Sequence, residues 1–195
     1  ALIGAADDVQ VFSPSSMKLL ARAYPGVNQA TWQMLPHGLI SQPPVLQLKA
    51  GRGLHIGVVG ALGVHKGAKI VAKLAQEIST AQLNIPITIF GTIQTSEALP
   101  GVKLTGSYLP ENLPTLIERS GANVFLFASI WPETFSYVTH ELCAMEVPVV
   151  CFDKGAQADL VRSYPKGKVL PLAEPSTLIA ELTKFWEVCY PHGTV

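Results

Sequence analysis

At 195 residues and 20.9 kDa the chain is long enough for one domain, or a domain with a tail, whose core hides roughly two thirds of the unfolded surface. Charged residues are 14%, against about 25% in an average soluble domain, while apolar residues reach 48% and mean hydropathy is +0.31, which excludes intrinsic disorder. Net charge is zero and pI is about 7.2, which argues against a broad basic face for nucleic acid or anionic lipid but not against a small local patch.

A chain this poor in charge has two readings: a parallel sheet covered on both faces, or a piece of a larger protein with a partner surface left bare. The start at Ala1, without Met, favours the expectation of a trimmed or excised segment. Cys143, Cys151 and Cys189 show no C-x-x-C spacing and suggest neither a disulfide framework nor a zinc site. Cys143 and Cys151 lie in apolar runs and read as small buried hydrophobes. No run reaches the ~18 apolar residues of a membrane span, and no charged-then-apolar leader opens the chain. The expected setting is a reducing, cytoplasmic one.

Val9 to Phe12 predicts a short strand running into Ser13-Pro14, a helix start with proline where its missing N–H costs least. Met17, Leu19, Leu20 and Tyr24 continue a helix that Pro25-Gly26 stops, and a strand follows near Trp32 to Leu35. Pro36-His37-Gly38 and the stretch to Gly53, stiffened by Pro43-Pro44, read as a linker. Residues 1–53 are therefore set apart from a regular unit over 54–195.

Leu54 to Leu62 predicts a nearly continuous apolar strand. Gly67 to Ser79 predicts a helix with Ile70, Val71, Leu74 and Ile78 on one face and Lys69, Lys73, Gln76 and Glu77 on the other. Strands follow at Ile87–Phe90, ended by Gly91, and at Val102–Thr105; Pro110 opens a helix carrying Leu113, Leu116 and Ile117. Val124–Ala128 is an uninterrupted apolar strand, Thr134–Met145 a helix, and Val147–Phe152 a valine-rich strand. A short helix near Ala156–Arg162, a strand near Val169–Leu172 and a helix over Pro175–Glu187 close the chain.

Strands alternate with helices, and most are apolar on both faces. That pattern predicts an α/β fold with a doubly wound parallel sheet. Ligands of such sheets bind at the carboxyl ends of the strands, where helix N-termini also point. Three loops then matter: Gly60 to Gly67, Ser107 to Pro110, and Ser129 to Ser136.

The first loop, Gly60-Ala-Leu-Gly63-Val-His-Lys66-Gly67, has glycines that let a backbone approach a phosphate and a lysine that adds a point charge. It matches neither G-x-G-x-x-G nor the Walker pattern. From this loop alone, an ordinary strand-to-helix turn with a surface lysine is the plainer reading. The third loop carries Glu133, with Glu141 eight residues on. Phe135, Val138, Leu142 and Met145 form the expected buried stripe, leaving Thr134, Tyr137 and Glu141 off it. If wholly helical, the two carboxylates would lie ~12 Å apart along the axis. That is too long for a pair acting on one glycosidic bond, which needs under about 10 Å, and suits an extended ligand read at two ends. Taken singly, Glu133 also reads as an acid favoured by a helix dipole and Glu141 as a solvated helix residue.

In combination and order, these features resemble the nucleotide-sugar half of group 1 glycosyltransferases of the GT-B fold. Lys66-Gly67 gives the first motif, Glu133 and Glu141 the E-x7-E segment, Val147-Pro148-Val149-Val150 the following strand, and Phe152-Asp153-Lys154-Gly155 the turn after it. The likeness runs from about Leu54 to Leu172. The earlier segment resembles the end of an acceptor half, with Pro36-His37-Gly38 like its usual terminus.

The resemblance implies a Rossmann-like fold and a set of roles. Lys66 would bind the donor diphosphate and Glu133 would contact the transferred sugar near its reactive carbon; these two are the implied catalytic residues. Gly60, Gly63 and Gly67 would let the backbone close on the donor. Glu141 would accept from the ribose hydroxyls. Backbone N–H groups of Thr134, Phe135 and Ser136 would meet phosphate or sugar, and Tyr108 and Leu109 would lie at the base. No Asp-x-Asp is present, so no divalent metal and no further cofactor is expected beside the nucleotide-sugar donor. The resemblance also implies retention of stereochemistry, an acceptor glycan or lipid-linked glycan, and a place in surface polysaccharide or lipopolysaccharide assembly. It implies a cytoplasmic location, with peripheral attachment to the inner membrane face through an acceptor domain not contained in residues 1–53. Alone, the chain is expected to bind nucleotide weakly and transfer sugar poorly. Two departures stand out: no Arg near Ala61 or Leu62, and Gly155-Ala156 in place of Gly-Gly. His65, if protonated, could stand in for the missing cation, although a neutral exposed loop histidine is the plainer reading. A nucleotide-sugar epimerase or a phosphorylase on the same architecture, and a non-catalytic binding or assembly module, are the other readings of the chain.

Overall fold

The structure is a computed structural model, and it describes residues 2–27 and 31–191. The segments 1–53 and 54–195 include residues 1, 28–30 and 192–195, which lie outside the described ones.

The N-terminal part forms strand β1 (Val9–Val11), helix α1 (Pro14–Ala23) and strand β2 (Trp32–Met34). The Ser13 side chain caps α1 by accepting from Ser16 N, and Pro14 occupies the first turn, where its missing N–H costs nothing. β1 and β2 pair in parallel as a two-stranded sheet. The linker is tied down at Ala50, whose carbonyl accepts from Asn123 Nδ2 (2.7 Å) and Trp186 Nε1 (3.2 Å).

The main unit is a six-stranded parallel sheet. Its strands are β3 (Ile56–Leu62), β4 (Ile87–Ile93), β5 (Val102–Leu104), β6 (Val124–Phe127), β7 (Val149–Phe152) and β8 (Gly167–Leu170). Their spatial order is β5-β4-β3-β6-β7-β8. The connecting helices are α2 (Ala68–Thr80), α3 (Leu113–Ser120), α4 (Tyr137–Ala144), α5 (Gly155–Ser163) and α6 (Pro175–Cys189). Alternate residues of the inner strands feed different cores. Val124 and Leu126 join α2 and α6 on one face; Phe125 and Phe127 join α3, α4 and α5 on the other. The expected doubly wound fold is therefore present, and both faces of the sheet are covered.

Several boundaries differ from the sequence expectation. β4 does not stop at Gly91 but runs through it to Ile93, because Gly60 lies opposite. A Cβ at Gly91 would stand 2.2 Å from the Gly60 carbonyl oxygen, so only glycine allows the strands to pass. α4 begins at Tyr137, three residues after the expected start, and its buried stripe uses Thr139 where Val138 was expected. The ~12 Å axial separation of Glu133 and Glu141 assumed continuous helix; it does not hold, because residues 133–136 are not helical. Cys151 is fully buried and Cys143 partly so, and burial pushes both thiols up to about 12. Among the described residues, no helix is long and apolar enough to cross a membrane.

Candidate functional site

The chain order reverses between β3 and β6: from β3 it winds outward through β4 and β5, then returns to β6. Ligands of open parallel sheets bind at such a reversal, beyond the carboxyl ends of the strands. Here the two strands also part. β3 pairs with β4 along its whole length, but with β6 only at Ile56–Val124 and Gly57–Phe125. Beyond that point a cavity of about 200 Å3 opens, lined by Val59 to Leu62, Lys66, Phe127 to Ser129, and Val138.

The loop of Lys66 is locked to the end of β6. Gly67 adopts φ +82°, and a Cβ there would lie 2.0 Å from the Ala128 carbonyl oxygen. The His65 carbonyl accepts from Ile130 N (3.0 Å) and from the buried hydroxyl of Ser129 (3.2 Å). These bonds deliver Lys66 to the Glu133 loop, and its ammonium ion-pairs with the Glu133 carboxylate. The Lys66 side chain is 50% exposed and that of Glu133 14%. A half-exposed pair of this kind is worth at most about 1 kcal/mol, so a stronger anion can take the lysine.

The Glu133 loop is held from the other side by α5. Glu133 N donates to Gln157 Oε1 (3.2 Å), Gln157 Nε2 donates to the Trp131 carbonyl (2.9 Å), and Ala156 N donates to the Glu133 carbonyl (2.9 Å). The Gly155-Ala156 departure noted in the sequence therefore does not loosen this turn: Gly155 packs so closely that a Cβ would lie 2.6 Å from Glu133 N. Thr134 is exposed; Phe135 is buried, with its ring stacked on His140 at 3.9 Å between centroids. Ser136 takes the left-handed conformation (φ +70°), a costly state for a non-glycine residue and one that concentrates at functional sites. The Ser136 side chain makes no capping bond to the α4 backbone and instead bonds Thr139 Oγ1 (2.7 Å).

Glu141 follows Val138, a cavity residue, by one helical turn. Burial lifts its carboxyl above the usual range. Tyr108, in the loop after β5, is half-buried, and its hydroxyl is pushed up to about 12, first by burial and then by the Glu141 charge. Those two side chains therefore share one environment. Leu109 is 61% exposed. Gly60 lines the cavity, while Gly63 turns the loop, its carbonyl accepting from Lys66 N and Ala68 N (both 3.1 Å). Thus Lys66 and Glu133 are in contact and Gly60 and Lys66 share the cavity, while Glu141 and Tyr108 feel each other electrostatically but do not line it.

The site also touches the N-terminal segment. Ser16 Oγ donates to the Thr134 carbonyl (3.4 Å), and Asp159 of α5 accepts from Ser15 N (2.8 Å). His37 stacks on Phe12 (4.0 Å) and meets the Phe135 ring edge-on (5.3 Å).

Residues 47–187 match the sequence model of the family described as glycosyl transferases, group 1. The chain belongs to that family. As a group 1 glycosyltransferase chain it shares its fold with several solved structures at low identity. Sucrose-phosphate synthase from Thermosynechococcus elongatus is 20% identical, with TM-score 0.73 over 99% of this chain and 52% of that one. HepE of Anabaena, solved with UDP-glucose, is 19% identical, with TM-score 0.72 over 97% of this chain and 56% of that one. TarM is 10% identical, with TM-score 0.75 over 95% of this chain and 38% of that one. The chain thus spans about half or less of the length of these relatives. No curated protein sequence matches it.

Sequence reasoning missed Gln157, Ser129 and Gly91. Gln157 was visible only as a polar residue inside an apolar turn, and Ser129 as a polar end to an apolar strand. Gly91 read as a strand stop.

Proposed function

We propose that this chain is the nucleotide-sugar-binding half of a retaining glycosyltransferase, acting with an acceptor half in surface polysaccharide assembly. One observation carries the reading: β3 and β6 part at the reversal of the sheet, and Lys66, which lines the resulting cavity, is paired with Glu133. Glycosyl transfer breaks the bond between the sugar carbon and the diphosphate, and the electron pair stays on the diphosphate. Lys66 and the uncapped N-terminus of α4 are the groups that would meet that charge. Such donors, fixed in place before reaction, supply several kcal/mol; one is typically worth about 3. Glu133 would face the positive charge that develops on the sugar. Glu141, half-buried beside Tyr108, would accept from ribose hydroxyls, and the base would lie against Tyr108 and Leu109.

No divalent metal enters the proposal. The sequence has no Asp-x-Asp to bridge one to a diphosphate. The acceptor half is invoked because β1 and β2 form a parallel pair with Gln33, Met34 and Leu35 exposed. Parallel sheets are stable when buried, and a two-stranded one calls for further strands.

Calorimetric titration with UDP, GDP and dTDP tests the site. The expected result is weak binding of one of them, reduced about tenfold or more by Lys66→Ala and by Glu141→Ala, as removal of a charged hydrogen-bonding group implies. Binding that neither substitution changes would remove the assignment, and no binding at all would favour a non-catalytic assembly module.

A further inference from the structure

We infer that Gln157 is a positioning residue that holds Glu133 on Lys66 as an internal anion, which a nucleoside diphosphate displaces when it binds. The inference rests on the donor-site reading above.

Gln157 lies in the first turn of α5 and is fully buried. A buried amide must satisfy both its ends, and this one satisfies both on a single short segment. Its oxygen accepts from Glu133 N and its nitrogen donates to the Trp131 carbonyl. Ala156 N takes the Glu133 carbonyl, and Gly155 (φ +56°) lets α5 come within van der Waals contact of Pro132 and Glu133. Both backbone polar groups of Glu133 are thereby fixed from one helix. What remains free is the side chain, and it rests on the Lys66 ammonium.

This arrangement has a consequence for binding. The cation suited to a diphosphate already has a counterion. A diphosphate brings more charge and more acceptor oxygens than one carboxylate, so it is the stronger partner for Lys66. Exchange would free the Glu133 carboxylate, whose backbone stays clamped, to turn toward the sugar. An apolar side chain at position 157 would leave Glu133 N–H and the Trp131 carbonyl unpaired and let the loop drift from Lys66.

The test uses the full chain with Glu133→Gln, Gln157→Met and the double variant. The first readout needs no ligand: the rate of reductive methylation of each lysine, mapped by peptide mass spectrometry. Lys66 is expected to react about threefold faster in either single variant, with Lys69 and Lys73 unchanged, because the Glu133 carboxylate then no longer covers its amine. Gln157→Asn, whose amide is one methylene too short to reach both partners, is expected to give the same faster rate, and it serves if Gln157→Met does not fold. The second readout is UDP affinity. Glu133→Gln is expected to raise it by up to about fivefold, the limit set by the strength of exposed pairs. Gln157→Met is expected to raise it similarly and to add nothing in the Glu133→Gln background. A Lys66 rate unchanged by Gln157→Met, or UDP binding weakened equally in both backgrounds, would overturn the inference. Faster Lys66 methylation in a chain that takes no UDP would support the positioning and overturn the donor-site reading.

Discussion

Lys66 owes its place to its neighbours' backbone, not to its own long side chain. Gly67 allows the loop to touch β6, and Ser129 and Ile130 hold the His65 carbonyl beside it. Glu141 shows the opposite case, a side chain kept where its charge is costly. Its carboxyl titrates above the ordinary value because burial disfavours the ionised form. The sign follows from the two states. Below the ordinary value the group is protonated whether folded or unfolded, and nothing is lost. As pH rises through the ordinary value and then the raised one, the folded state carries a growing penalty. Glu141→Gln is therefore expected to raise the melting temperature at pH 7 by about 1–3 °C and to leave it unchanged near pH 3, while weakening nucleotide binding. Thermal melts at the two pH values check this; a variant less stable at pH 7 would contradict it.

At the scale of elements, the decisive contact is loop against strand end. Gly67→Ala would place a methyl group 2.0 Å from the Ala128 carbonyl oxygen. It would also hold alanine at φ +82°, which costs about 1–3 kcal/mol before any clash is counted. Denaturant unfolding is expected to show a loss of at least that size. Gly63→Ala, at a position without such a neighbour and without positive φ, is the control and is expected to cost under about 1 kcal/mol. Much of this architecture was legible in advance. The continuous apolar runs at Leu54–Leu62 and Val124–Ala128 announce strands buried on both faces, and the alternation with amphipathic helices announces a parallel sheet. Lys66, Glu133 and Glu141 were legible through motif order. The start of α4 was not, because Thr134 and Phe135 suit a helix and only tertiary packing puts Ser136 at positive φ. Gln157 was not legible either, since its partners are backbone groups 24 and 26 residues away.

Across the whole molecule, the N-terminal segment and the main unit meet at the site rather than away from it. α1 reaches Thr134 and Asp159, and His37 packs on Phe12, Phe135 and Tyr137. The loop that would hold the sugar is thus braced by the segment through which an acceptor half would connect. On the donor-site reading, one crevice collects the cation and both acids around a diphosphate donor. The most direct measurement is a crystal structure of the full chain with UDP, or with whichever nucleoside diphosphate binds best. The expected result is phosphate oxygens within hydrogen-bonding distance of Lys66 Nζ, Glu133 moved off that lysine, and the ribose hydroxyls on Glu141. A nucleotide bound elsewhere, or one that leaves the Lys66–Glu133 pair intact with Glu141 untouched, would contradict it.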